Sequence, residues 1–129
     1  MKVLILSTDD PLVPEDILLR SIWPADQRPG FWQGKRLSSA AFKDPKGLSV
    51  SRVYTRPISE AVEWMSNHFH GPVYSVTMFT CSKIGADVKN KPSEYVPYHY
   101  EIHGGESDVE LSDEQALILS RSAKEEKTE

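Results

Sequence analysis

The sequence predicts an α+β domain, a small and mostly antiparallel sheet packed against two main helices. Three observations predict it. Ile58, Ala61, Val62, Met65 and Phe69 recur at i, i+3, i+4, i+7 and i+11, the spacing of one apolar helix face. Ser112-Asp113-Glu114-Gln115 has the form of a capping box, and Ala116, Leu119 and Ala123 behind it share a face. Leu48-Ser49-Val50-Ser51 and Tyr98-His99-Tyr100-Glu101-Ile102-His103 alternate apolar with polar residues, as strands with one wet side do.

Along the chain, residues 2–6 are an apolar run that reads as a short strand or a tail laid on the core. Thr8 or Asp10 can cap the next segment, and Pro14 suits a first helical turn, where its missing N–H would have no partner anyway. Ile17, Leu18 and Ile22 then give a short helical stripe that Pro24 ends near Trp23. Residues 24–34 form a Pro- and Gly-rich loop carrying Phe31 and Trp32. Lys43-Asp44-Pro45-Lys46-Gly47 is a turn leading into a strand over 47–54. The helix over 58–69, capped by Thr55 or Ser59, stops before Gly71-Pro72 and is expected to bury Ala61, Val62, Met65 and Phe69. Residues 73–79, rich in β-branched and aromatic side chains, read as a strand. A long loop over 82–97, with Gly85, Pro92 and Pro97, separates it from the strand over 98–103. After the helix over 112–123, residues 124–129 read as a charged, frayed tail. Three to four strands and one core thus account for 1–129 as a single domain.

Composition excludes several function classes. The chain has 129 residues, a formal charge of −4 and no run of Lys or Arg, which argues against a duplex nucleic-acid binder. Its one cysteine, Cys81, permits no intrachain disulfide, fits a reducing compartment and follows an apolar strand as a small buried residue would. The N-terminal apolar run is too short for a signal peptide and meets Asp9 and Asp10 at once. No stretch approaches the ~20 apolar residues that span a bilayer, so a cytoplasmic protein with no membrane partner is expected.

The candidate chemistry lies in two polar blocks, one from Arg36 to Arg52 and one from Tyr98 to Gly105. His99, Glu101 and His103 project from one strand face and are the candidate catalytic residues. Glu101 beside an imidazole supplies a general base, and an arginine across a cleft supplies an anion clamp. Arg36, Arg52, Ser49 and Ser51 are therefore the candidate substrate-binding residues, with Arg36 or Arg52 expected to approach Glu101 or His99. No metal is assigned. The outer two of three alternate strand positions lie ~13 Å apart, so at most two of His99, Glu101 and His103 could share an ion. His68, His70 or an Asp would have to complete such a site. No serine sits in a Gly-x-Ser-x-Gly elbow, which disfavours a serine hydrolase. No glycine-rich phosphate loop is present, because Gly104-Gly105 opens onto Glu106 and Asp108.

The order of an early Arg, a Gly47-Leu48-Ser49-Val50-Ser51 strand, the Glu60-Ala61-Val62-Glu63-Trp64-Met65 helix and a late strand bearing Glu101 resembles the ADP-ribosyltransferase-like folds, especially the small RES-type domains. The similarity spans Arg36 to Glu101. It implies a nucleotide- or NAD-handling enzyme, performing ADP-ribosyl transfer or NAD cleavage. Arg36 would contact the NAD phosphate, Ser49 or Ser51 would fill the middle polar position, and Glu101 would contact the ribose. The alternative is a non-catalytic accessory module whose strand edges and Phe31-Trp32 loop meet a protein partner.

Overall fold

A computed structural model describes residues 10–127, so the expectations for residues 2–6 and for a cap at Thr8 lie outside the described residues. In chain order the elements are β1 (Ile17–Ser21), β2 (Trp32–Gln33), β3 (Arg36–Leu37), β4 (Leu48–Arg52), α1 (Ile58–His68), β5 (Val73–Thr77), α2 (Met78–Lys83), β6 (Asp87–Asn90), β7 (His99–His103), α3 (Asp113–Ser122) and β8 (Lys124–Glu126). Short 3-10 turns cover Pro29–Phe31 and Ser39–Phe42. Six strands form one antiparallel sheet in the order β6-β7-β4-β1-β5-β8, and β2-β3 is a separate hairpin. The fold is α+β.

The sheet separates two apolar clusters. Side chains alternate across a strand. One face therefore carries Leu18, Leu48, Val50, Val76, Tyr100 and Ile102, packed against Leu37, Phe42, Ala116 and Leu119 from the hairpin, the second 3-10 turn and α3. The other face carries Leu19 and Val73 under Ala61, Val62 and Met65 of α1. Because α1 lies over β1 and β5, the half of this face formed by β4 and β7 keeps Ser49 exposed and His99 and Glu101 half-buried.

Four segments differ from the sequence expectation. Residues 17–21 are the strand β1, not a helix. Leu18 and Leu19 are both fully buried because an apolar layer covers each face, so the alternation that would mark a strand is missing. The strand over 73–79 stops at Thr77, whose hydroxyl accepts from the Thr80 N–H at 3.2 Å and caps α2. The expected loop over 82–97 contains β6, an edge strand whose polar composition hides it. The charged tail also pairs, with Lys124–Glu126 lying against Val73–Ser75 of β5.

The two helices form largely as expected. In α3 the Ser112 hydroxyl accepts from the Gln115 N–H and the Gln115 side chain accepts from the Ser112 N–H, which closes the capping box. The N-cap position of α1 is Pro57, with no side-chain cap from Thr55 or Ser59. Ala61, Val62 and Met65 are buried but Phe69 is 42% exposed, because α1 ends at His68 and the extended backbone of Phe69 turns it off the stripe. Gly71, at φ +91°, then reverses the chain so tightly that a Cβ there would overlap the Ile22 carbonyl.

Candidate functional site

The antiparallel register sets Ser49 opposite Glu101 and Ser51 opposite His99. Lys91, just beyond β6, donates its N–H to the His99 carbonyl at 3.0 Å. In return, His99 Nδ1 lies 2.6 Å from the Lys91 carbonyl oxygen. A carbonyl can only accept, so Nδ1 carries the proton. In the neutral ring Nε2 is then a bare acceptor, and it faces Ser49 Oγ at 3.1 Å. This is a hydroxyl, a base and a third group that orients the base, the arrangement that activates a nucleophile.

The cleft in front of this pair opens where two strands part. β1 and β4 are paired at Leu18–Arg52 and Leu19–Ser51 and separate beyond that point. Arg20 and Ser21 on one side, Ser49 and Val50 on the other, with Met65, Phe69, Val96 and His99, enclose about 170 Å³. Arg20 shares parity with Leu18 and leaves β1 on the apolar face, and it bridges the gap from there, donating from Nε to the Ala41 carbonyl at 3.1 Å and from Nη1 to the Ser49 carbonyl at 3.2 Å. Its Nη2 end has no protein acceptor, and no carboxylate pairs with it, among the described residues. Burial pushes the Arg20 guanidinium down to about 10, partly opposed by Asp44, so it remains a cation at neutral pH. A half-buried cation hydrogen-bonded to two neutral carbonyls has the chemistry to receive an anion.

The other candidate residues lie deeper or elsewhere on the fold. Glu101 turns to His103, Oε1 to Nε2 at 2.9 Å, under the glycine at position 47, where φ is +102° and a Cβ would overlap Glu101. Ser51 is fully buried, donating to the Pro97 carbonyl at 2.7 Å and accepting from Arg56 Nη2 at 3.1 Å, and it is not available to a ligand. Arg52 also leaves the substrate-binding group. It shares parity with Leu48 and Val50, so it points to the opposite face, where it is 2% exposed and bonded to Asp16, Tyr100 and the Asp10 and Pro11 carbonyls. Arg36 is exposed on the β2-β3 hairpin, whose Leu37 packs into the α3 cluster on that opposite face. Arg36 and Arg52 therefore do not approach Glu101 or His99 as expected, and the arginine that lines the cleft with His99 is Arg20. Arg20 had a sequence signal, an arginine directly behind Leu18-Leu19, but the segment reads as helix and conceals the strand position. Among the described residues no three His, Cys, Asp or Glu side chains are grouped to hold a metal ion, and no helix is long and apolar enough to cross a membrane.

No family model matches the chain, and neither a curated protein nor a solved structure matches it.

Proposed function

We propose that the chain is a small enzyme acting on phosphoesters, with Ser49 as nucleophile, His99 as general base and Arg20 as the phosphate contact. The observation that carries this reading is the hydrogen-bond line from Ser49 through His99 to the Lys91 carbonyl, at 3.1 and 2.6 Å, beside a cation that lacks an anion. In the reaction, Ser49 Oγ passes its proton to His99 Nε2 and forms a bond to phosphorus as the ester P–O bond breaks. The imidazolium returns that proton to the departing alkoxide. Water, deprotonated by His99, then bonds to phosphorus as the Ser49 Oγ–P bond breaks, the imidazolium returns the proton to Oγ, and phosphate is released. Arg20 meets the non-bridging oxygens, where charge accumulates.

A second reading draws on the Ser49–Glu101 register. It keeps the NAD handling that the resemblance implies, with Arg20 in place of Arg36 as the phosphate contact.

The test is turnover of p-nitrophenyl phosphate and bis(p-nitrophenyl) phosphate by the parent chain, Ser49→Ala and His99→Gln. Both variants are expected to keep the parent unfolding midpoint and to lose ~10²–10⁴ in rate. Equal rates in all three proteins would overturn the proposal. Absence of both turnover and phosphate binding would leave the accessory-module reading in its place.

A further inference from the structure

A second concavity continues from the first. Ser21, Trp23, His68, Phe69 and His70 enclose about 190 Å³, and Ser21 and Phe69 also line the Arg20 cleft. Together the two reach the lower end of the ~300–1,000 Å³ that small-molecule sites occupy. The second is walled by aromatic rings that the core does not use, since Trp23 is 43% and Phe69 42% exposed.

The rings are held in place. Trp23 has its carbonyl fixed by the Trp32 Nε1–H at 2.9 Å, and its ring stacks on His70 with centroids 6.1 Å apart and planes 29° apart. Ser21 donates to the His70 carbonyl at 2.9 Å, tying the His70 backbone to β1. The Arg28 guanidinium lies 6.0 Å from the Trp23 ring. On the far side Trp64 stacks on His68 at 3.9 Å and meets Phe69 edge-on at 6.0 Å. His68 Nδ1 donates to the Trp64 carbonyl at 2.8 Å, which leaves Nε2 as an acceptor toward solvent. Exposed, ordered π faces beside a polar ring edge suit a planar heterocycle that carries its own N–H donors, and the adjoining cation suits a phosphate.

Resting on the phosphoester reading, we infer that the substrate is a nucleotide whose base stacks at Trp23, Phe69 and His70 while its phosphate meets Arg20 and Ser49. The ligand then spans both concavities across Ser21 and Phe69.

Calorimetric titration of the intact chain with AMP, adenosine, ribose 5-phosphate and inorganic phosphate tests this. AMP is expected to bind roughly tenfold or more tightly than ribose 5-phosphate, the gap a single stacked base supplies. Trp23→Ala should erase that gap and leave phosphate affinity unchanged, whereas Trp23→Phe should keep most of it. Trp23 is too exposed for its loss to unfold the chain, and circular dichroism of the variant checks this. Equal affinities for AMP and ribose 5-phosphate, or an AMP advantage that survives Trp23→Ala, would overturn the inference even if phosphate binds at Arg20. Adenosine that binds in a Trp23-dependent way while inorganic phosphate does not would uphold the base subsite and remove the phosphoester reading instead.

Discussion

Arg52 and Asp16 form a two-pronged ion pair, Nε to Oδ1 at 2.9 Å and Nη2 to Oδ2 at 2.8 Å, on the side of the sheet away from Ser49. Burial alone would lower the Arg52 pKa, but hydrogen bonds with Asp16 and Tyr100 outweigh it and hold it above the usual arginine value. The pair joins the segment before β1 to the end of β4. Asp16→Ala leaves the guanidinium buried without a counter-charge and is expected to cost ~3–5 kcal/mol by urea unfolding. A loss below about 1 kcal/mol would mean that the Asp10 and Pro11 carbonyls suffice.

Arg20 presents the opposite balance. Its proton affinity falls on folding, so at neutral pH the native state carries the cost of a poorly solvated cation. Between about 10 and the ordinary arginine value the unfolded chain binds more protons, and this group's contribution to stability rises with pH. The proposed anion binding should fall over the same window as the charge is lost. Arg20→Met is therefore expected to equal or exceed the parent in thermal midpoint while losing all stabilisation by inorganic phosphate. Phosphate-dependent melting from pH 8 upward checks both signs.

Cys81 is fully buried, and burial pushes its thiol up to about 12. Native protein at neutral pH should not react with a thiol-specific disulfide reagent, and urea-unfolded protein should react at once. By linkage, the contribution from this group is complete below the unfolded thiol pKa near 9 and disappears as pH rises toward about 12. Rapid labelling of the native state would show that the α2 packing opens readily.

Gly71→Ala places a Cβ against the Ile22 carbonyl at a φ of +91°. It also threatens the Ile22 N–H bond to the Pro72 carbonyl, 2.9 Å, that aligns the end of β1 with the start of β5. A loss on the order of 3 kcal/mol is expected. Gly30→Ala is the control, since nothing lies within 4 Å of a Cβ there and its φ is not in the left-handed region. It should be neutral or slightly stabilising.

Legibility in the sequence tracks burial pattern. β4 and β7 separate an apolar from a polar face, and α1 and α3 each bury one stripe, so their periods are readable. β1 is covered on both faces and has no period, while β6 and β8 lie at the sheet edges and consist mostly of polar residues. The site divides the same way. Ser49 and His99 are visible from alternation, and the same alternation assigns Arg52 to the apolar side with Leu48 and Val50, although its charge suggests otherwise. Arg20 is hidden because its strand is hidden, and the gap between β1 and β4 that lets its guanidinium reach the Ser49 carbonyl is a property of the assembled sheet alone.

In the strand order β6-β7-β4-β1-β5-β8, only β6 and β7 are both chain neighbours and sheet neighbours. Every other pairing closes a long loop, and Ser49 and His99 come together across 50 positions. Loop-closure entropy must be overcome before such contacts give anything back, so folding is expected to be slower than that of a helical bundle of the same size. Helix formation can run far ahead of the chemistry. A nascent or partly denatured chain with α1 and α3 already coiled would show much of its helical signal yet hold the hydroxyl and the imidazole on unconnected segments, so the proposed activity should be the last property gained on refolding and the first lost in denaturant.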